Sequence, residues 1–257
     1  MIGCEIRQPE QISACHSLYC KHCFAAGRHQ RRKVLPASTL RRSFPASHHR
    51  GIGGFPHIIP ECYPTLFNFL RLAMRPGTLL ISKPFLGDPN FERSVVLLCR
   101  DEPTEGSFGL VLNRLTNLTL ADVLDLPSAG HVAAGLKLYL GGPVEANTLH
   151  FVHQRPDLPG AQELGQNVYW GGDFTVLLGL LGSHEVEADD VRLFVGYSGW
   201  SRGQLAAEMQ GQSWIRQPAS AGKVFTLASD AFWRDILREK GGRYKVLANY
   251  PVDPSLN

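Results

Sequence analysis

Ser198 lies in the run Gly196-Tyr197-Ser198-Gly199-Trp200, between a continuous apolar stretch and an amphipathic one. A hydrolase nucleophile sits at such a strand-to-helix turn, but the elbow needs G-x-S-x-G and Trp200 occupies the place of the second glycine. In that fold the catalytic histidine follows the serine, whereas the last histidine here is His184. Acyl-transfer chemistry at Ser198 is therefore excluded on pattern and on order. His150 and His153 are three apart on an expected strand, so they point to opposite faces and cannot chelate one metal. No G-x-G-x-x-G opens a helix after a strand, and there is no G-x-x-x-x-G-K-[ST] loop, so no cofactor is expected. The pairs Gly141-Gly142 and Gly171-Gly172 read as turns, and no pair of carboxylates has a spacing that singles it out for acid/base work.

Charge and cysteine divide the chain in two. Residues 1–73 carry 10 Lys+Arg against 3 Asp+Glu, and residues 74–257 carry 16 against 20, so the second part has a net charge of −4. A part with that balance and no basic helix repels phosphate unless its charges segregate to one face, and direct DNA binding is disfavoured. Five of the six cysteines precede residue 74. Cys20 and Cys23 have zinc-ligand spacing but lack a second pair, and the basic run 28–33 reads as a solvated segment. The Arg- and Ser-rich start is similar in composition to an organellar transit peptide, although its Cys and Pro spoil an amphipathic helix. Residues 1–73 show neither helical nor strand periodicity and are expected to be an extension outside the working protein, with Met74 as the true start. Cys99 ends the apolar run 94–99 and reads as a reduced, buried thiol. With no apolar stretch near the ~20 residues needed to span a bilayer, a cytoplasmic protein that does not enter the membrane is expected.

From residue 74 on, the patterning is that of one α+β domain of residues 74–257. Strands are expected over 77–84, 94–100, 108–114, 136–140, 149–153, 168–170, 191–197 and 223–227, with 136–140 and 149–153 paired across the corner 141–148. The run 191–197 is apolar throughout and should be a central strand buried on both faces. Thr119 with Asp122 forms a capping box, Asp173 caps the helix that begins at Phe174, and Ser229 caps one that Gly241 and Gly242 stop. Ser201 with Gln204 fits another capping box, with Trp200 and Leu205 as its hydrophobic staple, which makes Ser201 an N-cap.

Four ordered stretches, 77–99, 106–114, 139–144 and 196–214, together resemble the YqgE/AlgH family, a bacterial group whose function is uncharacterised and which is often labelled a transcriptional regulator. The match begins where the composition changes and runs through the helix that ends near Gly242. The resemblance implies a compact α+β fold whose mixed, mostly antiparallel sheet is bifurcated or barrel-like and flanked by helices. It matches the family pattern at Pro84, Asp88, Phe91, Arg93, Ser94, Asn113, Gly141, Gly142, Pro143, Gly196, Tyr197, Gly199, Trp200, Gly203, Gln204 and Trp214. Members commonly carry Ala at position 198, which also speaks against a nucleophile there. Among the matched residues, Arg93, Asn113, Tyr197 and Gln204 have polar heads that could line a shared ligand or partner site. A non-catalytic regulatory or interaction role through a protein partner or small molecule is the expectation, with a metabolite-binding protein or an unrecognised enzyme whose pocket lies near Tyr197, Arg93 and Asn113 as the alternative.

Overall fold

The computed structural model describes residues 74–124, 133–226 and 231–251, all of them within one compact unit. The expectations for residues 1–73 and for the Ser229 cap concern residues outside this set.

The sheet is organised by the apolar run read as central. It forms the long strand β9 (Val191–Trp200), whose side chains are buried over most of its length. The preceding strands are β1 (Thr78–Ser82), β2 (Val95–Glu102), β3 (Gly106–Val111), β4 (Leu115–Thr119), β5 (Lys137–Leu140), β6 (Val144–His153), β7 (Gln162–Gly165) and β8 (Val168–Trp170), and β10 (Trp214–Pro218) follows. The main order is β10-β1-β2-β3-β9-β6-β8-β7, with β5 beside β9 and β4 beside β5. Every pairing is antiparallel except β5 with β9. The sheet forks at β9: its last residues pair with β3, while residues 191–197 pair with β6 and 193–195 with β5. This is the bifurcated α+β sheet that the resemblance implies.

Gly196 makes the fork possible. Its φ of 65° lies in the left-handed region, and a Cβ there would stand 2.8 Å from Gly142 O and 2.9 Å from Val144 O. A Cβ on Gly142 would in turn meet the Tyr197 carbonyl carbon at 2.3 Å. The two glycine motifs therefore press backbone against backbone. That contact also corrects an expectation: β5 and β6 do not pair with each other. β9 lies between them, and β6 starts at Val144 rather than at 149 because the Gly141–Pro143 corner is complete within three residues.

The last expected strand is a second correction. Residues 223–227 were expected to be a strand, but Ala221–Val224 is a short helix in which Lys223 N and Val224 N both donate to Ser220 O. Ser220 leaves the chain in a turn, so the apolar Val224 reaches the core from a helix. Among the described residues the last strand is β10, which pairs with β1 and ends at a proline, as an edge strand tolerates.

Short helices cover the sheet. These are α1 (Leu120–Val123), α2 (Phe174–Gly182), α3 (Gln204–Gln210), α4 (Ala221–Val224), α5 (Phe232–Lys240) and α6 (Arg243–Leu247). Two expected caps are present: Thr119 N and Oγ1 donate to Asp122 Oδ2, and Asp173 Oδ1 accepts from Thr175 N and Val176 N. The third is shifted. Ser201 N donates to Gln204 Oε1, as the box requires, but the N-cap is Gly203, in the left-handed region at φ 76°.

The strands β1 and β2 alternate between two cores, Leu79, Ile81 and Leu97 against Trp233, Ile236 and Leu237 of α5, and Leu80, Val96 and Leu98 against Leu205, Trp200 and Trp214. A third core joins α1 and α2 to β5, β6 and the start of β9.

Candidate functional site

The four polar residues singled out in the sequence fall in three places. Arg93 and Asn113 share one. The turn before β2 holds Phe85 at φ 59° and Arg93 at φ 50°, both unfavourable for side chains of this size. Hydrogen bonds tie the turn down on all sides. Asn113 Oδ1 accepts from Val95 N at 2.9 Å and Nδ2 donates to Arg93 O at 2.9 Å, while Ser94 N donates to Ser82 Oγ and Arg114 Nη2 donates to Glu92 O. The Arg93 side chain crosses to the C-terminal helices: Nη2 donates to Tyr250 O at 2.6 Å, and the guanidinium lies 5.2 Å from the Trp233 ring centroid. Burial, and then the positive charge of Arg234, pull the Arg93 guanidinium below its usual pKa. Phe85 sets its ring edge-on to Tyr250, with centroids 5.7 Å apart.

Tyr197 lies elsewhere and makes no hydrogen bond to Arg93 or Asn113. It stacks on Phe108 at 4.7 Å, and His150 stands edge-on to both, 5.0 Å from Phe108 and 5.6 Å from Tyr197. Trp170 packs against Phe108 at 4.9 Å. Three of these four rings are partly exposed, so β3, β6, β8 and β9 together present an aromatic ledge. The chemistry of the ledge is neutral. Thr148 Oγ1 donates to Glu145 O, so its contact with His150 Nε2 at 3.0 Å is one in which the ring nitrogen donates. Burial pushes the His150 pKa down to about 4, and burial followed by Glu145 raises that of the Tyr197 phenol. Neither ring is charged near neutral pH. In the sequence His150 is weighed only as a metal ligand, and excluded as one, because only the sheet register shows what it stacks on.

Gln204 belongs to a third group. Its Oε1 accepts from Ser201 and its Nε2 donates to Glu208 Oε1 at 2.9 Å. Glu208 Oε2 accepts from both indoles, Trp200 Nε1 at 2.9 Å and Trp214 Nε1 at 2.7 Å. Phe91 stacks beside them, which joins the 85–94 turn to α3. Glu208 was missed in the sequence. Its spacing of four from Gln204 on a helix was the available signal.

Ser198 is fully buried and its Oγ donates to Gly141 O at 3.0 Å, so its hydroxyl fastens the corner. Cys99 is a buried free thiol whose pKa burial raises well above the ordinary value. Arg192 is 4% exposed, its guanidinium 4.6 Å from the Tyr139 ring and hydrogen-bonded to the carbonyls of Leu112 and Thr226. Among the described residues no three His, Cys, Asp or Glu side chains group to hold a metal ion, and no helix is long and apolar enough to cross a membrane.

The AlgH-like family model matches residues 79–245. A UPF0301 protein of Cytophaga hutchinsonii is 42% identical over 183 residues, covering 70% of this chain and 98% of the relative. One from Chlorobium limicola is 38% identical over 185 residues, covering 72% and 96%. Among solved structures, the AlgH protein of Pseudomonas aeruginosa superposes with a TM-score of 0.55 at 26% identity, covering 68% of this chain and 94% of that one. A Corynebacterium diphtheriae protein does so at 0.57 and 22% identity, covering 69% and 93%, and shows the same fold. With the family model spanning both glycine motifs, the Arg93 turn and the Glu208 tie, the chain belongs to the AlgH-like family.

Proposed function

We propose that this protein is a non-catalytic interaction protein that acts in regulation through a protein partner, without reading DNA bases. One observation supports this: of the four polar residues singled out at the family's motif positions, three, Arg93, Asn113 and Gln204, spend their polar heads on the chain itself. Arg93 holds Tyr250 O, Asn113 holds the backbone of residues 93 and 95, and Gln204 holds Ser201 and Glu208. A catalytic group needs a free head aimed at a reacting atom. These residues shape and stiffen surfaces, which is what a partner-binding protein requires.

The alternative is a metabolite-binding protein, and the ledge favours it in one respect. Tyr197, His150 and Trp170 offer neutral aromatic faces, and the Tyr197 hydroxyl has no hydrogen-bond partner among the described residues. A planar, weakly polar ligand would suit that surface.

Native mass spectrometry of the full chain purified from its own host discriminates the two. The interaction reading expects protein complexes and no bound small molecule. A small molecule that stays bound to the wild type and is lost in Tyr197→Ala would replace it with the metabolite reading.

A further inference from the structure

The charges of this molecule are segregated along the chain. Residues 144–191 carry eight carboxylates and one basic side chain, Arg155, whereas residues 231–251 carry five basic side chains and two carboxylates. Both of those carboxylates are already neutralised, Asp235 by Arg238 at 3.1 Å and Glu239 by Lys223 at 2.8 Å. The remaining cations gather at one corner. Lys240 and Arg243 lie 5.2 and 5.1 Å from the Tyr244 ring centroid, and Arg243 Nη2 donates to the Tyr244 hydroxyl at 3.2 Å. The Tyr244 phenol is pulled below its usual pKa by that hydrogen bond first and then by the charges of Arg243, Lys240 and Lys83. Arg93 joins the corner through Trp233 and Tyr250, and Arg234 is close enough to lower the Arg93 pKa. Among the described residues, Lys83, Arg93, Arg234, Lys240, Arg243 and Lys245 have no carboxylate within salt-bridge distance.

The corner is also apolar. Two of the four large hydrophobic side chains that stand exposed belong to it, Phe85 at 39% and Val246 at 62%. Phe85 is held there in a left-handed conformation, edge-on to Tyr250. Strain of this kind persists only where the surroundings enforce it, and here it displays an aromatic ring among cations.

We propose that the corner formed by Phe85, Arg243, Tyr244, Lys245 and Val246 is the docking surface for a partner protein segment that carries both carboxylates and apolar side chains. The proposal rests on the protein-interaction reading and names the surface and the partner's chemistry. Charge complementarity calls for an anionic partner, and the exposed apolar groups call for one with hydrophobic side chains as well. A nucleic acid fits less well. Its repeated phosphates would meet the cations but bring no aliphatic side chain to Val246, whereas a peptide supplies carboxylates and apolar side chains together.

The test uses fluorescence anisotropy with the full-length chain and three labelled probes of equal length. These are a peptide alternating Glu with Leu and Phe, an all-Glu peptide, and a single-stranded oligonucleotide. The mixed peptide should bind more tightly than the other two, and the double variant Arg243→Glu, Lys245→Glu should lose at least ten-fold in affinity. Both positions are exposed, and an unchanged circular dichroism melt of the variant shows that the fold is retained. An oligonucleotide or all-Glu peptide that binds as tightly as the mixed one, a variant that binds as well as wild type, or no binding by any probe overturns the proposal. Cross-linking of wild type and variant in the host separates it from the broader reading. Complexes of the wild type that persist in the variant overturn this surface but leave protein interaction standing. Complexes lost in the variant support the surface. A wild type that forms no complexes overturns both.

Discussion

Asn113 Nδ2 donates to Arg93 O at 2.9 Å across twenty residues, while its Oδ1 accepts from Val95 N at the same distance. One carboxamide thus brackets Ser94, directly after Arg93, the residue whose φ is +50°. Replacement by alanine leaves Val95 N without its acceptor in a half-buried site and releases the turn. Asn113→Ala should lower the unfolding free energy by about 1–3 kcal/mol. Chemical denaturation reads the loss, and a midpoint equal to that of wild type would show that the carboxamide does not hold the turn.

The interlocked glycines make a sharper demand. An alanine methyl at 196 would have to sit 2.8 Å from one carbonyl oxygen and 2.9 Å from another, on a backbone with φ at 65°. Gly222, in α4, has nothing within 4 Å of its would-be Cβ. Gly222→Ala should therefore be neutral or stabilise by up to about 1 kcal/mol, whereas Gly196→Ala should destabilise by several times that. Thermal melts of the pair provide the comparison, and equal melting temperatures would sink the idea that the fork depends on this close approach.

The sequence made the local parts of this fold legible and left the long-range parts hidden. The apolar run 191–197, the Asp173 cap and the Thr119–Asp122 box are each determined by neighbours within a few residues, and all three are present. The strand expected from residue 223 is instead the end of a helix: Val and Phe favour strands, while the hydrogen bonds to Ser220 that bend Ala221–Val224 into a helix leave only a weak mark in sequence. The pairing of β5 and β6 was misread because a glycine-rich corner looks the same whether it closes a hairpin or wraps over another strand. Arg93, Asn113, Tyr197 and Gln204 were found through their motifs, but what each one touches is decided by sheet register and by helices far along the chain. Their division over three places could not be read from spacing.

His150 gives a pH dependence whose sign is fixed. Its pKa is about 4 in the fold against an ordinary value of 6.5, because burial disfavours the charged ring. Above pH 6.5 neither state is protonated at this ring and its full contribution is present. As pH falls from 6.5 toward 4 the unfolded chain takes up the proton first, so stability is lost across that window. The loss should be about 1–3 kcal/mol after solvent screening of a partly exposed ring. His153, its pKa also lowered mainly by burial, acts in the same direction. His150→Phe should flatten the dependence between pH 4 and 6.5, and a variant as acid-sensitive as wild type in that window would exclude His150 as its source.

Glu208 offers a test of geometry at constant size. Its Oε2 receives two indole N–H groups and its Oε1 the Gln204 amide, so all three of its partners are donors. In Glu208→Gln one oxygen can still accept from both indoles, but the new NH2 group then faces the NH2 of Gln204, donor against donor. The single variant should lose about 1–2 kcal/mol. Gln204→Glu in the same background restores an acceptor opposite the new amide, although it turns an acceptor of Ser201 N and Oγ into a carboxylate that still accepts from both. The double variant Gln204→Glu, Glu208→Gln should therefore recover most of the loss. A double-mutant cycle in denaturant measures the coupling, and additive effects would mean that the tie is not a hydrogen-bonded unit. Trp fluorescence gives a second readout, since both indoles report on the same carboxylate: the emission should shift in the single variant and return in the double one.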